Sequence, residues 1–156
     1  MIVQGLTIDP GSNSPILILK NPEGEERLPI WIGLMEATAI ASELEKVSFS
    51  RPMTHDLMKN LIGNLGYTIS KIEVTELKDN TFYALLHLLG PGGSLTVDSR
   101  PSDAIALALR TNAPIYVARA VLEETVEGEG HVGESDNKWK EVLDKMDPDD
   151  FGKYKM

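Results

Sequence analysis

"DSRPSDAIALALR", residues 98–110, decides how this chain must fold. It sets Asp98, Ser99, Arg100, Ser102 and Asp103 around Pro101, then runs through Ala104–Leu109 without a polar residue on any face. A helix that is apolar all round has to be buried in a core. Proline is favoured at the first helical position, Ser or Thr caps a helix, and Asp103 complements the positive end of the helix dipole. Those residues read as a device that starts a helix. Arg100 does not fit that reading, because a cation opposes the dipole at a helix start. It is expected to pair with Asp98 or Glu36, or to reach an anion.

The same phrase occurs a second time. Ser50-Arg51-Pro52 lies 49 residues before Ser99-Arg100-Pro101. It too precedes a hydroxyl residue and an aspartate, Thr54 and Asp56, then a helix and a strand. The interval is within the range of structural repeats. Thr54 is expected to cap a helix running to Leu65, with Gly66 just past its C-terminal end.

Outward from these two starts the chain alternates strand and helix signals. "VQGLTID" (3–9), "PILILK" (15–20) and "RLPIWIG" (27–33) read as three antiparallel strands, with the turn "NPEGEE" between the last two. Residues 34–46 suit an amphipathic helix burying Leu34, Ala37, Ala41 and Leu44. "YTISKIEVTEL" (67–77) and "TFYALLHLL" (81–89) form a hairpin about "KDN", and "SLTVD" (94–98) and "PIYVA" (114–118) are further strands. The expected architecture is α+β, with a mixed, largely antiparallel sheet and three or more helices in one compact domain over residues 1–124. Trp31 and Tyr83 sit in apolar strands and are expected in the core. His87 reads as a structural histidine of its strand.

Composition limits the function. The chain has 156 residues, 42% hydrophobic and 25% charged, and no cysteine, which excludes a disulfide framework and a thiolate metal site. Its net charge of −9 opposes general attraction to phosphate backbones, so any nucleic-acid contact has to be local. No run approaches the ~20 apolar residues of a membrane span, and the first residues lack the basic start of a secretory leader, so a cytoplasmic location is expected. After Glu124, "TVEGEGHVGES" reads as a linker. It is followed by an amphipathic helix on Trp139, Val142, Leu143 and Met146, with Ser135 as its cap, and by a short tail. The tail's "DFG" matches a kinase motif by chance, since no glycine-rich ATP loop precedes it.

"LPIWIG", "RPMTHDL", "LKDNTFYALL" and "DSRPSDAIALALR" followed by "PIYVA" resemble, in this order, the sequence blocks of the bifunctional nuclease domain family. The resemblance covers residues 1–124. It implies an α+β domain of bacteria and plant chloroplasts, often homo-oligomeric, with nuclease action on RNA and DNA in plant members. Strands such as "PILILK" and "YALLHLL", apolar on both faces, also favour a homodimer or higher oligomer.

In and beside those blocks lie the materials of metal-assisted phosphodiester cleavage. Glu36, Asp56, Asp98 and Asp103 are candidate ligands for Mg²⁺ or Mn²⁺, and His55 is the candidate general base beside Glu36 and Asp103. Arg51 and Arg100 are candidate phosphate-binding groups. None of these stands at a diagnostic spacing. The expectation is therefore a metal-dependent nuclease of low sequence specificity acting on RNA, DNA or both. The alternative is a non-catalytic regulator or scaffold that binds nucleic acid or protein as a homo-oligomer.

Overall fold

The computed structural model of the protein describes residues 1–126, and the expected helix on Trp139, Val142, Leu143 and Met146, with its Ser135 cap, lies outside them. The first block is a meander of β1 (Ile2–Ile8), β2 (Pro15–Lys20) and β3 (Arg27–Trp31), paired antiparallel in chain order. Leu6 pairs with Leu17 and Leu17 with Ile30, which places three buried side chains across the sheet. Two helices follow, α1 (Leu34–Leu44) and α2 (Thr54–Asn64). The second block is β4 (Thr68–Lys78), β5 (Thr81–Gly90) and β6 (Gly93–Ser99), then α3 (Pro101–Thr111), β7 (Ile115–Val117) and α4 (Arg119–Val126).

The expected α+β architecture is present, with two sheets in place of one. The second sheet has the order β6-β5-β4-β7, and only the β4–β7 pair is parallel. Helix α3 makes the crossover from β6 to β7, and its burial is what the apolar run required: Ala104, Ile105, Ala106 and Leu107 are fully inaccessible. It packs against α1, α2, β4 and β5 and so forms the centre of the molecule.

Four expectations need correction. Helix α1 buries Ala37, Ile40 and Ala41 but leaves Leu34 and Leu44 exposed. Trp31 and Tyr83 are 50% and 40% exposed. Tyr83 shares the outer face of β5 with Leu89, opposite the buried Ala84, Leu86 and Leu88, and Trp31 is the last residue of its strand. Neither Thr54 nor Ser102 caps its helix. The residues before the first turns are Met53 and Arg100, with no side-chain cap, and Pro101 takes the first helical position of α3. At α2 the capping hydrogen bond comes from the Met53 N–H to Asp56 Oδ2, at 2.9 Å. Finally, α4 runs through Thr125, where a linker was expected, because Val121 is buried in the core and Leu122 packs against it. Gly66 does lie just past α2, in the left-handed region at φ 80°, where a side chain would be strained.

Candidate active site

Three helix starts face one open cleft of about 230 Å³. Met35 and Glu36 come from the first turn of α1, Met53, Thr54 and His55 from the start of α2, and Arg100 and Asp103 from the start of α3. Thr38, Ala39, Ser42, Phe49 and Arg110 complete its wall. The convergence follows from packing, since α3 lies against both α1 and α2. Three positive dipole ends therefore share one depression.

A chain of charged hydrogen bonds runs along the polar wall. Glu36 Oε1 accepts from Arg100 Nη1 at 2.7 Å, and Arg100 Nε donates to Asp103 Oδ2 at 2.7 Å. Asp103 Oδ1 lies 2.9 Å from His55 Nε2. An ionised carboxylate only accepts, so His55 donates to Asp103 through Nε2–H. The two serine-arginine-proline starts thus meet through their first turns. Partial burial by itself would raise the Asp103 carboxyl, but the hydrogen bonds from Arg100 and His55 and the Arg100 charge outweigh it, and the group titrates below its ordinary value. Asp103, first, and then Glu36 hold the Arg100 guanidinium above its ordinary value. Arg100 nevertheless remains open, its side chain 65% exposed.

The sequence candidates fall into two groups. Glu36, His55, Arg100 and Asp103 line the cleft together. Asp56 faces away from them, bound by Met53 N–H and by Arg110, while Asp98 and Arg51 are exposed and not part of the wall. Arg100 found one of its two expected partners, Glu36, and took Asp103 in place of Asp98. His87 is remote, on the outer face of β5 beside Glu73.

The same pairing tests the expected divalent cation. Among the described residues no group of three His, Asp or Glu side chains is placed to hold a metal. The carboxylates of Glu36 and Asp103 close instead on the Arg100 guanidinium, and Asp56 is held by Arg110. In this arrangement the four carboxylates do not fit a resident metal, and the cleft carries its own cation.

Its residues combine an oriented imidazole, an open guanidinium and three helix starts, which together suit attack on a phosphate ester. The sequence profile of the bifunctional nuclease domain matches residues 17–128, which include every residue of this cleft. The chain belongs to that family. It is 41% identical to Uncharacterized protein Rv1829 of Mycobacterium tuberculosis across 96% of this chain and 95% of that protein. It is also 30% identical to Bifunctional nuclease 2 of Oryza sativa subsp. japonica, over 76% of this chain and 38% of the plant protein. Bifunctional nuclease 1 of Arabidopsis thaliana is 30% identical over 66% and 33%. The chain thus spans a little over a third, or less, of the plant nucleases it resembles.

One residue that positions this cleft was missed in the sequence. Arg110 ends α3 with a side chain only 4% exposed. It donates to Asp56 Oδ1 at 2.8 Å, to the Ala106 carbonyl at 2.9 Å and to the Ala39 carbonyl at 3.0 Å, so one guanidinium ties α3 to α1 and α2. This position sets where Glu36 and His55 stand relative to Asp103. The signal was present in "AIALALR": a charge one turn beyond buried Ala106 and Leu107 on an all-apolar helix needs a buried partner.

Proposed function

We propose that the protein is a nuclease of low sequence specificity acting on RNA and DNA, with the cleft of Glu36, His55, Arg100 and Asp103 as its catalytic site. The observation that carries this reading is the bonded chain Glu36–Arg100–Asp103–His55 at the meeting point of three helix starts. DNA lacks a 2′-hydroxyl, so a mechanism common to both polymers uses water as nucleophile. His55 Nδ1 takes a proton from that water as its oxygen bonds to phosphorus and the ester P–O bond breaks. Solvent protonates the leaving oxygen. Arg100 and the helix starts stabilise the negative charge that develops on the phosphoryl oxygens. A divalent ion, if cleavage requires Mg²⁺ or Mn²⁺, has to arrive with the substrate, because Glu36 and Asp103 are already paired with Arg100.

Low specificity is part of the proposal. The net charge of −9 opposes general attraction to a phosphate backbone, and Glu36, Arg100, Asp103 and His55 are committed to one another. The test uses purified protein on single-stranded RNA and DNA oligonucleotides in Mg²⁺, Mn²⁺ or EDTA. Cleavage of both polymers is expected to survive EDTA and to be lost in His55→Ala. Cleavage lost in EDTA would show that a divalent ion arriving with the substrate takes part. Rates unchanged in His55→Ala would move the reading to a non-catalytic binding protein.

Assembly and location belong to the same proposal. Tyr83, Leu89 and Tyr116 are 40%, 51% and 52% exposed on one face of the second sheet, since Glu73 pairs with both Leu85 and Tyr116. Such a patch favours self-association, and we place the homo-oligomer contact there. Among the described residues no helix is long and apolar enough to cross a membrane. With a cysteine-free chain this supports work in the cytoplasm. Sedimentation at micromolar concentration is expected to show a dimer or larger species that Tyr116→Glu dissociates; a 17.1 kDa species alone would reject the contact.

A further inference from the structure

The lining of the cleft is part charged and part apolar. Beside the Glu36–Arg100–Asp103–His55 chain, Met35, Phe49 and Met53 are its large apolar side chains among the described residues. Met35 is 72% exposed although it is apolar, and Phe49, on the segment between α1 and α2, is half-buried. Such a wall beside a guanidinium suits a ligand that is flat and apolar at one end and anionic at the other.

We propose that Met35, Phe49 and Met53 form a nucleobase subsite, which holds the base of the nucleotide whose phosphate faces Arg100. The inference rests on the nuclease reading for the phosphate end and adds the base end. The open cleft of about 230 Å³ has room for one base. The substrate presents that base turned out of its stack against Phe49. Methionines on either side adapt to purine or pyrimidine outlines. Few groups in the cleft can read a base edge. The hydroxyls of Thr38 and Ser42 already donate to the Leu34 and Ala39 carbonyls, at 2.8 and 3.0 Å, and the carboxylates of Glu36 and Asp103 are bonded to Arg100, which leaves the Thr54 hydroxyl. The subsite accordingly selects for the presence of a base, not for its identity.

The test separates base binding from cleavage by titrating the full chain with adenosine 5′-monophosphate and with ribose 5-phosphate, followed by calorimetry. Stacking on an aromatic side chain contributes ~1–3 kcal/mol per base, so the nucleotide is expected to bind about tenfold more tightly than the sugar phosphate. Phe49→Ala should remove that ratio, and Phe49→Leu, which retains most of the packing volume, should remove most of it while leaving the melting temperature within a degree or so of wild type. On single-stranded oligonucleotides both variants should raise KM and leave kcat nearly unchanged. Equal binding of the two ligands, no measurable binding of either, or a ratio that survives in both variants would overturn the subsite. A base-dependent ratio in a protein that cleaves nothing would uphold the subsite and reject the nuclease reading, whereas cleavage without a ratio would do the reverse.

Discussion

Arg51 and Arg100 stand in the same three-residue phrase before a helix, yet the fold treats them differently. Arg100 is bonded to Glu36 from α1 and to Asp103 from its own first turn. Arg51 is exposed and has no ion pair among the described residues. The phrase runs into α3, with Arg100 just before its first residue Pro101, but ends at Pro52, the residue before Met53 at α2, so the two arginines stand at different distances from their helices and beside different neighbours. Beside α3 lies the carboxylate of α1. Beside α2 the matching role passes to Arg110, which reaches Asp56 from the far end of α3.

The largest expected effect removes the link between the two helix starts. Asp103→Asn keeps the shape of the side chain but loses the charge that orients His55 and fixes its proton on Nε2. General-base catalysis contributes roughly 10²–10⁴-fold, so kcat is expected to fall at least a hundredfold in protein that melts near the wild-type temperature. A loss below tenfold would mean that the His55–Asp103 contact is structural and that the comparison concerns folding alone.

Next comes Arg110, whose loss strands Asp56 and two carbonyls at the junction of three helices. Removing one partner of a buried pair costs about 3–5 kcal/mol; Asp56 keeps 35% of its side chain in water, so Arg110→Ala is expected near the lower end, about 3 kcal/mol, by urea denaturation. Arg110→Lys should recover only part of this, because an ammonium cannot form the same three-way fork. Full recovery by lysine would show that only the charge matters.

How much of this the sequence disclosed depended on the range of the interaction. The apolar face of α3, the three-strand meander, the hairpin and Gly66 follow from local patterns, and all could be read. His55, Arg100 and Asp103 were named as candidates because they lie in the family's blocks, and Glu36 because it follows one of those blocks closely, but their pairing was not legible. Glu36 and Arg100 are 64 residues apart, and nothing local to either specifies that α1 crosses α3 where they meet. Asp56 and Asp98 were grouped with them for the same reason: residue type shows that a carboxylate can bind a cation but not which cation is within reach. Trp31 and Tyr83 were placed in the core because both faces of their strands looked apolar, while the fold covers only one face of β5.

Replacing the two phrase arginines tests the contrast directly, with smaller effects. Because the Arg100 side chain is 65% exposed, its ion pairs contribute only about 0–1 kcal/mol of stability, and Arg100→Ala should melt near wild type. Its kcat is expected to fall at least tenfold if the guanidinium stabilises the phosphoryl oxygens. Arg51→Ala should leave kcat unchanged and raise KM by about threefold at low salt. The slope of log KM against log salt should fall by about one if Arg51 contacts a backbone phosphate. Equal effects from the two variants would mean that the cleft does not distinguish the arginines.

The smallest effect is in acid stability, and it compares the two aspartates. Burial would raise the Asp56 carboxyl, but the Met53 N–H, the Arg110 hydrogen bond and charge, and Lys59 outweigh it, so it titrates below its ordinary 3.8 in the folded chain. Asp103 is lowered too, with Arg100 and His55 outweighing its burial. A carboxylate depressed by folding contributes stability that is fully present above its unfolded value and is lost as pH falls through its folded value. Asp56→Asn should therefore be less stable than wild type near pH 5, with the difference shrinking below 3.8 as wild-type Asp56 takes up its proton. Asp103→Asn should show the same sign and a smaller difference, because its main partner, Arg100, is open to solvent and screened, whereas Arg110 is enclosed. Urea denaturation of the three proteins at several pH values between about 2.5 and 5 measures both gaps. If the Asp103 gap proves the larger, the Arg100 cluster rather than the Arg110 tie holds the three helix starts together.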